Sequence, residues 1–431
     1  MVQKMRKMKD SGIEWIGEIP EGWEIKRLGA ILQERNEVNN PIQTTSILSL
    51  TNNRGVIPYS EKGNQGNKAK DDLTGYKIAH IGDIVLNSMN VIIGSVGLSN
   101  YYGAVSPVYY MLFPRNNIET NIQYYNYLFQ TTAFQQSLRG YGNGILEIRM
   151  RIQMQKLKTV LLPVPTFLEQ SNITVYLDAS LSKLNILLSK IRSSIEEYKK
   201  LKQAVITQAV TKGVRGEREM KDSGVGWIGA IPKDWEIKRL KSFCTIVDCK
   251  NRTPDVFPDG KYTVVRTTCI KDCSFSYEGS YQTDTTNFKA WTLKGQPHKG
   301  DIFFTREAPV GEACLVPNAD NLCMGQRVMF FRPEDNSDSR YIMYSIYGPL
   351  VREYIASKNS GSTVGHLKLG QVACIPIFYC PPLEQKEIAD YLDAKCAEID
   401  GLIAKKEQLV KELESYKKSL IYEVVTGKRE V

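Results

Sequence analysis

Leu168-Glu-Gln-Ser-Asn-Ile-Thr-Val-Tyr-Leu-Asp-Ala179 returns 215 residues later as Leu383-Glu-Gln-Lys-Glu-Ile-Ala-Asp-Tyr-Leu-Asp-Ala394, with eight of the twelve positions identical. The likeness continues at the same offset, because Val210-Thr211 corresponds to Val425-Thr426. The chain therefore contains one stretch of about 45 residues twice, and this repeat organises the rest of the sequence.

Both copies have the end signals of long helices. Thr166 and Glu169 have the spacing of a capping box, in which the hydroxyl and the carboxylate each bind a free backbone N–H. Pro381-Pro382 opens the second copy, where the fixed φ of proline suits a first helical turn. Gly213 and Gly427 stand where a left-handed residue would end each helix.

A seven-residue repeat of mostly apolar residues runs through both predicted helices. In the first helix the two heptad positions are Leu177, Leu184, Ile191, Tyr198 and Val205, and Leu181, Leu188, Ile195, Lys202 and Ala209. In the second they are Leu392, Ile399, Lys406, Leu413 and Leu420, and Cys396, Ile403, Val410, Lys417 and Val424. This pattern predicts a coiled-coil seam rather than a helix buried in one globular domain. A helix of this length would be a rod of roughly 68 Å.

A second repeat opens each half of the chain. Met8 to Leu28 returns as Met220 to Leu240, 212 residues later, with 16 of 21 positions identical. Two repeats in the same order indicate that the whole chain is a duplication. We therefore expect an α+β protein built as a tandem duplication, in which a mixed α/β domain is followed each time by a long helix.

The region between the opening and the helix differs greatly between the two halves. Shared marks are Gly82-Asp83-Ile84 with Gly300-Asp301-Ile302, and the predicted strands Val108–Pro114 and Val328–Pro333. We predict helices around 122–138 and 340–356, glycine-rich or serine-rich turns at 140–144 and 360–363, and short strands at 157–164 and 372–378. The expected domains are 1–165 and 214–380, each followed by its helix at 166–213 and 381–431, with 212–219 as a polar linker.

Composition narrows the class of protein. The chain has 431 residues, 42% hydrophobic and 24% charged, with a formal net charge of +9, which permits a polyanionic partner without requiring one. The basic start is not followed by an apolar stretch, and no run approaches ~18 apolar residues. We therefore expect a cytoplasmic protein that neither carries a signal peptide nor spans a membrane.

All nine cysteines follow residue 240, so a disulfide framework is not expected. Cys244, Cys249, Cys269 and Cys273 superficially resemble a four-thiolate zinc site, but their spacings are loose and the first half has no counterpart. Reduced, structural thiols are the favoured interpretation, and metal binding by these four cysteines stays open.

Motifs for catalysis are not found in the sequence. The three histidines, His80, His298 and His366, have no metal-ligand spacing, and neither a P-loop nor an Asp/Asn-Pro-Pro-Tyr/Phe tetrapeptide is present. Asp255 and Asp259 to Lys261 imitate pieces of a nuclease core, but their proline-rich context predicts a turn. We therefore assign no catalytic residue, no metal ligand and no cofactor to this chain.

Polar, aromatic and basic residues on predicted loops are the candidates for binding. Arg, Asn and Gln can bind two edges of a base, whereas Lys and Ser mostly hold phosphate. The candidate DNA-binding residues are Arg54, Lys68, Asn87, Ser88, Asn90 and Tyr101 in the first half, and Lys250, Arg252, Arg266, Arg306, Gln326 and Arg327 in the second. Lys62, Lys70, Tyr102, Asn251 and Lys271 share the same predicted loops. A plain solvated surface is the alternative for each residue taken alone.

The chain resembles the specificity subunits of type I restriction–modification systems in two motifs. These are Ser11-Gly-x-x-Trp15-Ile-Gly-x-Ile-Pro20-x-x-Trp23 and Pro381-Pro-Leu-Glu-Gln385-x-x-Ile388-x-x-Tyr391-Leu-Asp393. The resemblance covers nearly the whole chain. The first copy of the second motif departs from the pattern, with Val164-Pro165-Thr166-Phe167 before Leu168, and we expect only a small change at the helix start.

The resemblance implies that each domain reads one half of a split double-stranded DNA site. It also implies that the two helices pack antiparallel, as a spacer and as the docking surface for two methyltransferase subunits, and that restriction subunits complete the nuclease. Methyl donor, ATP and Mg²⁺ would then be bound by those partners. The alternative function is a coiled-coil scaffold whose two end domains bind proteins.

Overall fold

The computed structural model describes residues 6–52, 54–63, 68–90, 94–143, 151–359 and 365–431. Packing divides the chain into two compact units. Unit 1 consists of Met1–Ile191 and Gln408–Val431, and unit 2 of Arg192–Glu407. Because the two long helices cross these boundaries, each helix contributes one end to each unit.

The elements that begin in the first half of the chain are strands and short helices that lead to one long helix. They are β1 (Met8–Asp10), β2 (Glu18–Pro20), β3 (Glu24–Arg27), α1 (Leu28–Ile31), β4 (Leu32–Arg35), β5 (Leu48–Thr51), β6 (Gly55–Pro58), β7 (Lys77–Ala79), β8 (Ile84–Asn87), β9 (Val96–Leu98), β10 (Gly103–Val105), β11 (Tyr109–Pro114), α2 (Ile122–Gln130), α3 (Thr132–Ser137), β12 (Gly142–Asn143), β13 (Arg151–Ile152), α4 (Met154–Leu157), β14 (Leu161–Val164) and α5 (Phe167–Lys212).

The second half follows the same plan. Its elements are β15 (Met220–Asp222), β16 (Ala230–Pro232), β17 (Glu236–Arg239), β18 (Cys244–Val247), β19 (Tyr262–Val265), β20 (Ile270–Lys271), β21 (Ser274–Phe275), β22 (Tyr281–Thr283), α6 (Thr285–Trp291), β23 (Ile302–Arg306), β24 (Val310–Leu315), β25 (Leu322–Met324), β26 (Val328–Pro333), α7 (Ser339–Ile346), α8 (Pro349–Asn359), α9 (Leu369–Ala373), β27 (Pro376–Tyr379) and α10 (Pro382–Val425).

Each half contains its own antiparallel four-stranded sheet, and the two sheets have the same strand order. The order is β4-β11-β8-β9 in unit 1 and β18-β26-β23-β24 in unit 2. The pairs β3 with β14 and β17 with β27 also correspond. The smaller sheets differ in extent, because unit 2 contains a parallel pair of strands, β19 with β25, where the described part of unit 1 has the single parallel bridge Ile47–Ala104. The duplicated α+β architecture is confirmed, and the differences lie in the parts inserted into the shared frame.

The long helices begin and end where the capping signals indicate. Thr166 and Glu169 form the capping box, with the Thr166 N–H donating to Glu169 Oε2 at 3.1 Å and the Glu169 N–H to Thr166 Oγ1 at 3.3 Å. The helix α10 begins at Pro382. Gly213 and Gly427 both have φ of 73°, the left-handed conformation that ends a helix.

The predicted seam positions are buried or half-buried along both helices, whereas most positions between them are exposed. Leu177, Ile191, Leu392 and Ile399 are at most 7% exposed. Leu184, Tyr198 and Leu413 are half-buried, and the Lys406 ammonium lies 5.5 Å from the centre of the Tyr198 ring.

Contacts within each unit show that the helices run antiparallel. In unit 2, Lys202 binds Asp400, and Arg215, beyond the end of α5, binds Glu387 near the start of α10 at 2.7 Å. In unit 1, Lys417 donates to Asn185 Oδ1 at 2.9 Å. Arg429, beyond the end of α10, interacts there with Tyr176.

The core of each unit contains the end of the helix that belongs to the other repeat. In unit 1, Leu420, Ile421, Val424 and Val425 of α10 join the core around α2 and the start of α5. In unit 2, Ile206, Ala209 and Val210 of α5 join the core around α7 and the start of α10. Burial of one such side chain stabilises a fold by about 1.5–3 kcal/mol, so neither unit is complete without both helices.

The glutamine of the repeated Leu-Glu-Gln motif anchors each helix to its domain. Gln170 Oε1 accepts the Asn121 N–H at 2.8 Å, and Gln385 Oε1 accepts the Asp338 N–H at 3.1 Å. Asn121 and Asp338 are themselves the N-caps of α2 and α7. Both glutamines are fully buried, so their hydrogen bonds fix the junction between helix and domain in the same way twice.

The repeated Gly-Asp-Ile motif holds an arginine from a different strand in each unit. Asp83 binds Arg35 of β4 at 2.9 and 3.2 Å, whereas Asp301 binds Arg332 of β26 at 2.7 and 3.0 Å. Each aspartate also accepts a backbone N–H, from His80 or from His298, at 2.9 Å. The same bidentate ion pair is therefore preserved although the arginine has moved to the neighbouring strand.

Several expected boundaries were wrong because local geometry intervenes. The predicted strand 157–164 is only Leu161–Val164, since Leu157 closes α4, and 372–378 is only Pro376–Tyr379, since Val372 lies in α9. The predicted helix 122–138 is divided at Thr131, whose side chain caps α3, and 340–356 is divided between α7 and α8. The predicted turn at 360–363 and the end of that at 140–144 lie outside the described residues.

The segment expected to be a linker is tied to unit 2. Arg218 binds Glu384 and Asp234, and Arg215 binds Glu387. These ion pairs join the connection between the repeats to the first turn of α10 and to the opening segment of the second half.

Helices able to cross a bilayer are not present in the described part of the chain, because none combines sufficient length with sufficient hydropathy.

Candidate nucleic-acid interface

The polar candidates of the second half gather at one edge of its four-stranded sheet. Because β18 and β23 both pair antiparallel with β26, the ends of β18 and β23 meet the beginning of β26 at the same edge. This edge, which we call the strand-end rim, carries 248–252, 306–307 and 326–327. The corresponding rim of unit 1 carries 36–38, 88–90 and 108.

Arg306 binds two loops of the rim together. Its Nη1 lies 3.2 Å from both carboxylate oxygens of Asp248, and its Nη2 donates to Asn251 Oδ1 at 3.1 Å. Its side chain is only 11% exposed. Gln326 adds a further bond, from Nε2 to the Asn251 carbonyl at 3.1 Å. Arg306 therefore holds the loop of Asn251 in place, and its contact with DNA stays a prediction.

Two cations of the same loop lie on one indole ring. The Lys250 ammonium is 4.7 Å and the Arg252 guanidinium 5.4 Å from the ring centre of Trp291, which donates Nε1–H to the Arg252 carbonyl at 3.1 Å. Trp291 is 9% exposed. The ring attracts both cations and orders the loop while leaving their charges available to an anion.

A carboxylate between two basic side chains completes the rim. Glu307 lies 3.4 Å from Arg327 Nε and 3.3 Å from His366 Nδ1. The Arg327 and His366 side chains are 43% and 40% exposed, so this group faces solvent. Arg327 has φ of 76° and Ala308 has φ of 50°, conformations that residues with a side chain rarely adopt.

Arg266 joins the same side of the domain through the parallel pair of strands. The Gly325 N–H donates to the Val265 carbonyl at 2.8 Å, which places Arg266 beside the residues that precede the rim. Arg266 is exposed, and its guanidinium donates to the Gly279 carbonyl at 3.4 Å. The structure therefore brings all six candidates of the second half to neighbouring strand ends, where cations outnumber carboxylates.

The candidates of the first half are more dispersed, and two of them are committed to the fold. Ser88 is fully buried with Oγ donating to the Val108 carbonyl at 2.8 Å, and Asn87 is 9% exposed with Oδ1 accepting the Met89 N–H at 3.0 Å. Asn90 is half-buried in the turn that follows, and its backbone N–H donates a hydrogen bond to the Asn87 carbonyl. These side chains or backbone groups hold the turn after β8, and DNA contact by Asn87 and Ser88 stays a prediction.

The remaining three candidates of the first half are exposed. Arg54 lies between β5 and β6 and forms an ion pair with Glu61. Lys68 is exposed on the loop that precedes β7, and Tyr101 is 39% exposed between β9 and β10. They come from three different loops, unlike the compact rim of unit 2.

Sequence reasoning missed Asp248, Trp291, Glu307 and His366 as members of this surface. Trp291 is the last residue of the helix α6 and contacts Lys250 across 41 positions of sequence. In the sequence His366 is one of three histidines without a catalytic or metal-ligand motif. These residues could be recognised only from the convergence of strand ends. That convergence can be predicted only when the strand order of the sheet is known.

The four cysteines considered for zinc do not form one cluster. Cys244 belongs to one hydrophobic core, and Cys249 and Cys269 belong to another. Burial raises the pKa of the Cys249 and Cys269 thiols, which disfavours the thiolate that zinc requires. Among the described residues, no group of three or more His, Cys, Asp or Glu side chains could hold a metal ion.

Comparison with known proteins identifies the family. The model of the type I restriction modification DNA specificity domain matches residues 20–197 and again 232–412. The chain is 26% identical, over 96% of its length and 95% of the relative, to the putative type I restriction enzyme MjaX specificity subunit of Methanocaldococcus jannaschii. It is 24% identical, over 95% and 93%, to the type I restriction enzyme MjaVIII specificity subunit of the same organism.

Solved structures agree on the fold. A chain from a study of complex assembly and conformational transition of the type I R-M system superposes with a TM-score of 0.71 at 15% identity, covering 95% of this chain and 99% of that one. The HsdS subunit from Thermoanaerobacter tengcongensis gives a TM-score of 0.51 at 15% identity, covering 95% and 98%. With two copies of the family's domain, the chain belongs to the type I restriction–modification DNA specificity family and is a DNA-recognition subunit, not a protein-binding scaffold.

Proposed function

We propose that this subunit reads a bipartite DNA target, with one recognition domain for each half, and leaves all catalysis to partner subunits. The main support for the proposal is that both domains have the same sheet, whereas the side chains at the strand-end rim differ between them. The second rim presents several cations with an amide and carboxylates, whereas 36–38, 88–90 and 108 of the first rim carry one carboxylate, Glu37, among neutral side chains. Base readout depends on such side chains, so unlike rims suit unlike half-sites.

The two long helices would set the gap between the half-sites and dock two methyltransferase subunits. Large apolar side chains on their outer surface support docking: Leu168 is 70% exposed, Val175 69%, Ile186 56% and Leu383 66%. A docked partner would cover exposed apolar side chains of this kind. Restriction subunits would join the same complex. In this proposal the recognition domains are 1–165 and 214–380, and the helices are 166–213 and 381–431.

Methyl donor, ATP and Mg²⁺ would be bound by the partners. The sequence supports this division of labour, since it contains neither a P-loop nor a methyltransferase tetrapeptide. The complex would act in the cytoplasm, where the target DNA lies.

The test is a domain exchange in the complete complex. The full chain is expressed with its cognate methyltransferase subunits in a host that lacks other DNA methylation of the same kind, and the methylated motif is determined by sequencing. Replacing residues 1–165 by the corresponding domain of a relative should change one half of the motif only. A change in both halves would contradict the modular proposal, and so would a wild-type motif without two separated halves.

A further inference from the structure

Backbone hydrogen bonds identify corresponding positions of the two rims that sequence comparison cannot align. The Ile152 N–H donates to the Ser88 carbonyl, and the Leu367 N–H donates to the Arg306 carbonyl, each at 3.0 Å. Since Ser88 follows β8 and Arg306 ends β23, these two bonds are equivalent. The residues beside them therefore correspond as well: Met89 with Glu307, and Arg151 with His366.

The neighbouring strand adds a third pair of positions. Val108 accepts the Ser88 hydroxyl on its carbonyl at 2.8 Å, and Arg327 accepts the Arg306 N–H on its carbonyl at 3.0 Å. Tyr109 pairs with Asn87, and Val328 pairs with Thr305, which gives the same register. Val108 therefore corresponds to Arg327.

At these three positions the strand pairing corresponds and the chemistry is different, and Arg327, unlike Val108, has a positive φ. Unit 1 has Met89, Val108 and Arg151, whereas unit 2 has Glu307 held between Arg327 and His366. Positions that keep their strand pairing while their side chains change are suited to determine specificity, because the sheet beneath them stays the same.

Backbone conformation supports a functional role for the second set. Arg327 has φ of 76° and Ala308, next to Glu307, has φ of 50°. Residues other than glycine are disfavoured at a positive φ. Non-glycine residues with a positive φ cluster at functional sites, where the surrounding structure enforces this conformation. Arg327 is also far more exposed than Arg306, at 43% against 11%. A folding role alone would be served by a buried arginine such as Arg306.

We propose that Arg327 and Glu307 read a G·C base pair in the half-site of the second domain. Arginine donates two hydrogen bonds to O6 and N7 of guanine in the major groove, and a carboxylate accepts from N4 of cytosine. Their separation of 3.4 Å makes them neighbours that can face the two bases of one pair. His366, 3.3 Å from the carboxylate, is a positioning residue for Glu307. This inference rests on the proposed reading of one half-site by each domain.

The experiment uses the complete complex and a variant chosen to fold. Arg327→Gly removes the guanidinium and places glycine where φ is 76°, so folding should be unimpaired. Discrimination at one G·C position of one half-site should fall about 10- to 100-fold, measured as methylated fractions of all single-base variants of the motif. Glu307→Ala should relax the same position, and Arg151→Ala should affect the other half only.

Ala308→Gly is the matched control, since it relieves the same kind of backbone strain without changing a polar group. It should leave the motif and its stringency unchanged. An Arg327→Gly complex that keeps full discrimination overturns the proposal, as does an equal loss of methylation at all sequences or a second half-site without G·C pairs. The wild-type motif distinguishes failure of this inference from failure of the proposed function. If the wild-type motif is bipartite and only the variants give the opposite result, the reading of one half-site by each domain stands and the readout by Arg327 and Glu307 fails.

Discussion

Replacing Gly427 by alanine should destabilise unit 1 strongly, because this glycine is both left-handed and crowded. Its φ is 73°, and an added Cβ would lie 2.5 Å from Cγ of Pro20 and 2.9 Å from Cη2 of Trp23. Both neighbours are buried, and neither a proline ring nor an indole can turn aside as a flexible side chain can. The end of α10 approaches the opening segment of the chain at this point.

The magnitude has two parts. A non-glycine residue in the left-handed region costs roughly 1–2 kcal/mol. Forcing a methyl group into a packed site costs about 1–3 kcal/mol more. We therefore expect Gly427→Ala to lower the free energy of unfolding of unit 1 by roughly 2–5 kcal/mol.

Gly17→Ala is the matched control in the same unit. Gly17 has φ of 70°, but its added Cβ would meet no heavy atom within 4 Å. It should cost only the backbone part, about 1–2 kcal/mol. Any change in the unfolded chain is the same for both variants, so the difference between them isolates the close approach of helix and opening segment.

Hydrogen exchange resolved by peptide is the appropriate assay, since two units need not unfold together. Amides of β2, β3 and α2 should exchange about 5- to 150-fold faster in Gly427→Ala than in Gly17→Ala. Amides of unit 2 provide the internal reference. Equal exchange in the two variants would refute the reasoning, because the contact of Gly427 with Pro20 and Trp23 would then contribute nothing.

Three further predictions concern the helices and the DNA. Asn185→Asp should copy at Lys417 the ion pair that Lys202 forms with Asp400, and should raise the unfolding free energy by about 0.2–1 kcal/mol in low salt, an effect that high salt should remove in thermal unfolding. Insertion of one heptad in both helices, after Ile191 and after Lys406, lengthens each helix by about 10 Å. It should change the gap of the methylated motif or abolish methylation, without altering the half-site sequences. An unchanged motif, methylated at full efficiency, would exclude the helices as the spacer. Finally, the affinity of the complex for its target, measured by fluorescence anisotropy, should fall about 10³- to 10⁵-fold between ~50 and ~200 mM salt, as expected for ~6–10 phosphate contacts; an affinity independent of salt would contradict binding through phosphates.

The features that could be predicted from the sequence are those fixed by local, repeated signals. The seam was predictable because ten heptad positions in each helix report the same geometry, and the helix ends because Thr166, Gly213 and Gly427 act through their own backbone. These signals need no knowledge of the tertiary structure. They therefore identified the duplicated architecture, although strand boundaries shifted where short helices intervene.

The binding surface could be predicted only in part, because exposure is a tertiary property. Ser88 and Arg306 end equivalent strands and look like loop residues in the sequence, yet the first is fully buried and the second is 11% exposed. Glu307 and His366 are 59 positions apart and meet only because Leu367 bonds to the Arg306 carbonyl. Residue type suggested candidates in both halves, but strand order decides which side chains converge.

The comparison of the two units also explains how the frame tolerates such divergence. The aspartate of the Gly-Asp-Ile motif needs one guanidinium, and it accepts one from β4 through Arg35 or from β26 through Arg332. Because the arginine can come from either of two strands, this ion pair does not require the same residue at the same position in both halves. The buried Gln170 and Gln385 bind backbone groups at the same place in both units, so the same residue type makes this contact twice. Sequence identity between the halves should therefore concentrate where the same residue type makes the same contact in both units, at the opening segment and the helix start. We expect the rim, which lies outside this frame, to be free to change with the DNA sequence that the domain reads.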